Sequence, residues 1–132
     1  MKLLADTSAL LALYVRNDVN HVRALEFVRQ HPKARYVLTE LILAEIATRL
    51  RAVAGAERGV SVALSLLESR RYDVLFADTG LLRGAIEKMA RLRDKRLSLT
   101  DCVSFEVMER LGLRDAFSFD RDFRDCGYSM VP

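Results

Sequence analysis

Cysteine, histidine, proline and tryptophan are all scarce in this sequence, and most of these shortages exclude something. Cys102 and Cys126 are the only cysteines, with neither CxxC spacing nor an adjacent histidine, so two reduced, partly buried thiols are expected rather than a disulfide framework. His21 and His31 both fall in an early helical stretch, too few for a zinc centre or a histidine-based triad. Pro32 and Pro132 are the only prolines, and no low-complexity stretch divides the chain, so residues 1–132 read as a single domain without internal repeats. A 51% hydrophobic content is enough for a core at this length. Long apolar runs are missing too. A membrane span needs roughly 18 unbroken apolar residues, whereas the nearest candidate, residues 9–15, is far shorter and is preceded by Asp6. No small-residue cleavage site follows it, so a soluble cytoplasmic protein without a membrane role is expected.

What is present is a slight excess of positive charge, 21 basic against 18 acidic residues for a net +3. That balance favours an anionic partner such as nucleic acid without requiring one. Arg91, Arg93, Lys95 and Arg96 crowd one segment with Asp94 as the only acid among them. Cations of this kind suit either a solvated helix end or a phosphate-binding surface.

Five short apolar runs read as strands, at residues 2–5, 35–38, 72–76, 116–119 and 128–131. Helical spacing fills the intervals, at about 8–15 and 19–30, twice between 39 and 71 with a break near Gly55, and from Asp101 to Leu111. Ile42, Ile46, Leu50 and Val53 make one apolar stripe, and Leu82, Ile86 and Met89 make another. Strands alternating with helices imply crossover units, a mostly parallel sheet and a three-layer α/β fold. The near-continuous apolar strands agree, because such strands are buried on both faces.

Open parallel sheets bind ligands beyond the carboxyl ends of their strands, and acids collect there. Asp6 follows the first strand and Asp120 the fourth, although either could simply cap the next helix. Asp101 shares a helix face with Phe105 and Met108, which turns a carboxylate inward, while Glu106, Glu109 and Arg110 take the opposite face. Thr100 is available to cap that helix, which leaves Asp101 without a capping role. Glu45 sits on the edge of the Ile42–Ile46 stripe, with an ion pair to Arg49 as the plain alternative, and Glu40 is expected in solvent. Together, Asp6, Glu45, Asp101 and Asp120 can converge on one rim. Packed carboxylates repel each other, and a divalent cation removes that cost. Oxygen donors without histidine or cysteine favour magnesium or manganese over zinc, and nucleases use such clusters on phosphodiesters.

These residues resemble the motifs of PIN domains. Asp6-Thr7-Ser8 is similar to the first motif and Thr39 with Glu45 to the second. Leu97-Ser98-Leu99-Thr100-Asp101 is similar to the third, and Phe119-Asp120-Arg121-Asp122-Phe123 to the fourth. Each is weak alone, but four in order cover essentially the whole chain, and more narrowly the chain resembles the VapC-type toxins of toxin–antitoxin pairs. Ser118 departs from the threonine that many members carry before the fourth acid, though the hydroxyl is kept.

The resemblance implies a sheet of order 3-2-1-4-5 and magnesium- or manganese-dependent cleavage of structured RNA, tRNA or ribosomal RNA, leaving a 5′-phosphate and a 3′-hydroxyl. It also implies an antitoxin partner and a homodimer. Asp6 and Asp101 would be the principal metal ligands, Glu45 would orient water or complete the coordination, and Asp120 would hold the metal directly or through water. Asp122, Ser8 and Thr100 would support them, and Arg91, Arg93, Lys95 and Arg96 would bind RNA. Two alternatives remain open: an RNA-processing nuclease without an antitoxin, and a catalytically silent binding module of the same fold. A phospho-accepting receiver centred on Asp78 is set aside, because Thr7 stands where a second acid is needed and Asp78 suits a helix cap.

Overall fold

The five apolar runs form one all-parallel sheet in the computed structural model, which describes all of residues 1–132. The strands are β1 (Lys2–Ala5), β2 (Arg35–Thr39), β3 (Tyr72–Leu75), β4 (Asp115–Phe117) and β5 (Ser129–Val131), in the order β3-β2-β1-β4-β5. The helices are α1 (Thr7–Tyr14), α2 (His21–Gln30), α3 (Glu40–Ala54), α4 (Ala56–Glu68), α5 (Thr79–Arg91), α6 (Leu99–Leu111) and α7 (Arg121–Asp125). Each expected element is found, with ends displaced by one or two residues. In β4, which stops at Phe117, the next amide on the β1 side leaves the ladder, Phe119 donating to the Ser8 hydroxyl (2.9 Å), while Ser118 still donates to the Val131 carbonyl of β5 (3.1 Å).

Side-chain alternation along β1 divides the core into two layers. Leu3 and Ala5 join Tyr36, Leu38 and Phe117 on the face covered by α1 to α4, where Ala9, Leu10, Phe27, Ile42, Ile46, Leu50 and Leu66 are buried. Leu4 joins Val37 and Ala116 on the other face, against Leu81, Ala85, Cys102, Val103, Phe105 and Met108. The break between α3 and α4 falls at Gly55, whose φ of +92° disfavours other residues. No helix is long and apolar enough to cross a membrane. Both cysteines are free, Cys102 buried and Cys126 half-buried.

Helix α5 differs from its sequence-based reading. Of the stripe of Leu82, Ile86 and Met89, only Leu82 packs against the core, since Ile86 is 54% and Met89 41% exposed. The inward face is instead Leu81, Ala85 and Lys88, with the same spacing one position earlier. A lysine occupies an inward position because α6 supplies its counter-charges. The Lys88 ammonium pairs with Glu106 at 3.0 Å and with Glu109, and Glu106 also accepts from Arg110 at 3.1 Å. Burial alone would favour neutral Lys88, but the hydrogen bonds it donates to the two carboxylates hold its pKa above the ordinary lysine value. Glu106 is therefore not on a solvated face as the helical wheel suggested; its side chain is only 12% exposed. Gly84 makes room for it, because a Cβ there would lie 2.5 Å from a Glu106 oxygen.

Two further expectations need correction. Val53 extends the α3 stripe in sequence but is exposed, beyond the reach of the layer above the sheet. Glu40 is not in free solvent: both its oxygens accept from the Ala77 amide, at 2.8 and 3.0 Å, which ties the start of α3 to the chain leaving β3. Asp78 does cap α5, through the Leu81 amide at 2.8 Å.

Lys88→Met keeps the side-chain length, removes the charge, and leaves Glu106 with Arg110 alone. Urea denaturation is expected to show a loss of about 3 kcal/mol, as for breaking one side of a buried pair. Glu109→Gln, at the exposed end of the same network, is expected to cost under about 1 kcal/mol.

Candidate active site

The site starts from the central position of β1. Its carboxyl end delivers Asp6 beside β4, and the Asp6 amide donates to the Phe117 carbonyl at 3.0 Å. The Asp6 side chain caps α1 and is 6% exposed. Three donors converge on its Oδ2 atom: the Ser8 hydroxyl at 2.7 Å, the Ser118 hydroxyl at 3.0 Å and the Ser8 amide at 3.3 Å. Ser118 also accepts from the Asp120 amide at 3.0 Å, so one buried hydroxyl links the first acid to the fourth. Asp120 in turn caps α7, its Oδ1 accepting from the Asp122 amide at 3.0 Å.

Helix α6 brings the third acid. Ser98 caps it, the Asp101 amide donating to the Ser98 hydroxyl (3.1 Å) and the Ser98 amide to Asp101 Oδ2 (3.0 Å), a reciprocal capping box. The structure thus places Thr100 differently from its expected role. It is the second residue of the helix and makes no hydrogen bond to a carboxylate, because Ser98 already occupies the capping position. Glu45, from the second turn of α3, accepts from the Thr7 hydroxyl at 3.0 Å and from Arg49 at 3.4 Å, so the helical ion pair and the approach to the acid rim coexist.

Asp101, Asp120 and Asp122 bring carboxylate oxygens within 4.8 Å of one another. Their electrostatics tie in the remaining acids. Burial pushes the Asp6 carboxyl up despite its serine donors, and Asp101 adds repulsion. Burial likewise raises Asp101, with repulsion from Asp120 and Glu45, and raises Asp122, with repulsion from Asp120 and Asp101. Asp101 is therefore the common member, repelled by or repelling each of the other four acids. Asp122 is more central than its sequence position suggested, being grouped with Asp101 and Asp120, while Asp6 lies deeper.

The donor set fits a hard divalent cation. Each of Asp6, Asp101 and Asp120 has one oxygen fixed by hydrogen bonds and another that no protein donor reaches. None of Asp6, Asp101, Asp120 or Asp122 takes part in a salt bridge; Glu45 alone pairs, with Arg49. No imidazole competes, since His21 and His31 hydrogen-bond to backbone carbonyls within their own face of the fold. Uncompensated carboxylates with free oxygens suit magnesium or manganese better than zinc.

The basic segment runs off the end of α5. Arg91 closes that helix, and Arg93, Lys95 and Arg96 lie in the connection to α6. Lys95 is half-buried and its charge partly offsets the raised pKa of Asp122, whereas Arg91, Arg93 and Arg96 are exposed. Two supporting hydroxyls escaped the sequence reading, those of Thr7 and Ser98. The second was detectable, since Ser98 stands three residues before Asp101 in a capping-box spacing. The first gave no such signal, because its partner is 38 residues away.

The chain matches the PIN domain family over residues 3–127. It is 30% identical over 127 residues to the 23S rRNA-specific endonuclease VapC20 of Mycobacterium tuberculosis, covering 96% of this chain and 95% of the relative. The crystal structure of Mycobacterium tuberculosis VapC20, described as a Sarcin-Ricin loop cleaving toxin, is similar at a TM-score of 0.89 and 27% identity, over 96% of this chain and 95% of that one. Rickettsia felis VapBC2 bound to promoter DNA is similar at a TM-score of 0.68 and 11% identity, over 98% and 97% of the two chains. FitAcB of Neisseria gonorrhoeae is similar at 0.67 and 15%, over 100% and 97%. The last two likenesses speak for the fold alone.

The raised carboxyl of Asp101 has a thermodynamic consequence. An acid whose folded pKa lies above its unfolded value destabilises the fold once pH rises through that range. Asp101→Asn is therefore expected to raise the melting temperature of metal-free protein at pH 7. The gain should vanish at about pH 4 and below, where the wild-type carboxyl carries its own proton. Added magnesium is expected to stabilise the wild type and not the variant. Scanning calorimetry with and without the ion reads all three.

Proposed function

Since this chain belongs to the PIN domain family, we propose that it is a divalent-metal-dependent endoribonuclease, the toxin of a toxin–antitoxin pair, that hydrolyses structured RNA of the translation machinery. The observation that carries this reading is the meeting of carboxylate oxygens of Asp101, Asp120 and Asp122 within 4.8 Å, with Asp6 and Glu45 each coupled to Asp101 by repulsion. The intact set of acids argues against a silent binding module. Ribosomal RNA of the large subunit is the first substrate to test, because the VapC20 relatives at 30% identity are 23S rRNA-specific; tRNA is the second.

Asp6, Asp101, Asp120 and Asp122 would hold the cation, with Glu45 at its edge. A bound magnesium or manganese ion lowers the pKa of water and offsets charge on the phosphodiester. The protein supplies the orientation. Ser8 and Ser118 hold Asp6 by one oxygen, Ser98 holds Asp101 by one oxygen, and Thr7 steadies Glu45 through Oε2. Glu45, held at the edge of the rim by Thr7 and Arg49, would orient the attacking water. Attack by that water on phosphorus, its proton passing to bulk solvent, would break the bond to the 3′ oxygen, which takes a proton from solvent and leaves as a 3′-hydroxyl, with the phosphate kept on the 5′ oxygen of the next nucleotide. Lys95, with Arg91, Arg93 and Arg96 around it, binds phosphates next to the acids.

A protein antitoxin would have to neutralise the same rim, and a basic side chain reaching the unpaired carboxylates is the chemistry that does so. A homodimer is supported by the outward apolar side chains of α5, Ile86 and Met89 both being exposed.

Incubation with ribosomes and total RNA, with magnesium or with chelator, is expected to yield new 5′-phosphate ends only with the ion. Asp101→Asn should lower the rate by more than the roughly hundredfold that loss of a merely supporting residue costs; full activity in that variant removes Asp101 from the site. The double change Arg93→Glu and Lys95→Glu is expected to weaken RNA binding and make its salt dependence shallower, by roughly 0.7–0.9 in the log–log slope per lost phosphate contact. An unchanged slope would route the RNA elsewhere.

A further inference from the structure

Resting on the endoribonuclease reading, we propose that Arg23 is a substrate-binding residue, taking an RNA phosphate on the flank of the acid rim opposite Lys95. Arg23 lies on the exposed face of α2, away from the four acidic motifs and from the basic segment. Its guanidinium carbon stands 5.3 Å from the centroid of the Phe119 ring, and its Nη2 donates to the Pro132 carbonyl at 3.2 Å. Both anchors belong to the carboxyl edge of the sheet. Phe119 immediately precedes Asp120, and its amide donates to the Ser8 hydroxyl that donates to Asp6. Pro132 follows Val131, which pairs with Phe117 and accepts from the Ser118 amide. Arg23 is thus fixed to the backbone segment that carries Ser118 and Asp120.

Two features separate this arginine from a structural one. No side-chain carboxylate pairs with it: the salt bridges of the molecule involve Lys2, Arg35, Arg49, Lys88 and Arg110. Four of the five N–H donors of its guanidinium are left over, in the planar arrangement that binds phosphate bidentately. Stacking on an aromatic face and one backbone hydrogen bond have already removed much of the side chain's rotamer freedom, which lowers the cost of binding an anion there. The other arginines stacked on aromatic rings, Arg58 over Tyr14 and Arg71 over Tyr36, donate to the carbonyls of Tyr14 and His31, which stand at the carboxyl ends of helices α1 and α2 rather than at the acid rim.

The placement also gives the RNA a direction. Helix α2 packs on the sheet face of Ala24 and Phe27, while the connection bearing Lys95 is anchored on the opposite face by Leu92 and Leu97. Unpaired cations thus flank the acids from both faces, so a strand crossing the carboxyl edge meets positive charge before and after the scissile bond.

The test compares Arg23→Gln and Arg23→Lys with wild type on a cleavable RNA, and repeats the binding measurement in an Asp101→Asn background where no turnover occurs. Arg23→Gln is expected to raise KM roughly tenfold, the weight of one charged hydrogen bond, with the loss carried by KM rather than kcat. It should also make the salt slope of binding shallower by roughly 0.7–0.9. Arg23→Lys is expected to restore the salt slope while recovering only part of KM. Unchanged KM and slope in Arg23→Gln, with wild type still cleaving, overturns this assignment alone. A fall in kcat that tracks a lower melting temperature overturns it in favour of a structural role. No cleavage by wild type overturns the endoribonuclease reading and this proposal with it.

Discussion

Everything at the carboxyl edge of this sheet follows from holding like charges together without neutralising them. Asp101, Asp120 and Asp122 repel across a few ångströms, Asp6 feels the repulsion of Asp101, and burial raises the cost further. A protein that only needed stability would place a lysine or arginine among them. This one uses neutral donors instead: the hydroxyls of Ser8 and Ser118 and the amide of Ser8 on Asp6, the Ser98 amide on Asp101, the Asp122 amide on Asp120. Such donors fix the direction of each carboxylate yet leave its charge intact, so the attraction for a cation survives. Capping and site-building are the same act here, because an acid that caps a helix is pinned by one oxygen and offers the other.

The opposite solution appears one layer away. Between α5 and α6 the buried charge of Lys88 is matched at once by Glu106 and Glu109, and Arg110 closes the network on Glu106 and on the Gly80 carbonyl. Hydrogen bonds from Lys88 and Arg110 hold the Glu106 carboxyl below the usual range although burial works against it. Gly84 is the steric counterpart, since any side chain there would meet that carboxylate. The network sets how α6 lies on α5, and α6 carries Asp101 at its first turn. A satisfied ion cluster thus supports an unsatisfied one.

The comparisons divide along the same line. The five-stranded parallel order persists in structural neighbours at 11% and 15% identity, where only the fold is held in common, and the likeness is closer, TM-score 0.89, where identity reaches 27%. A β1 buried on both faces and flanked by β2 and β4 can be rebuilt from many apolar sequences. At its end the Ser118 hydroxyl supplies the one atom that joins Asp6 to the Asp120 amide.

Local chemistry was legible in the chain by itself. Short apolar runs and period-3.6 stripes located all five strands and six of the seven helices, α7 being the one without such a signal, and Asp6, Glu45, Asp101 and Asp120 stood out because each follows a strand or lies on an inward helical stripe. The strand order came from resemblance to a family rather than from periodicity, which carries no information about neighbours. Tertiary structure decided what depends on partners far away in sequence. Two apolar-looking stripes one residue apart on α5 cannot be told apart until α6 supplies carboxylates that allow Lys88 inside. Glu40 reads as solvated until the Ala77 amide arrives from β3, and Thr7 reads as plain helix until Glu45 accepts its proton. Asp122 joins Asp101 and Asp120 only because α7 folds back over the end of β4. Periodicity reports which side chains avoid water, whereas a polar group's place is settled by the donor or charge that meets it, and that meeting exists only in the folded chain.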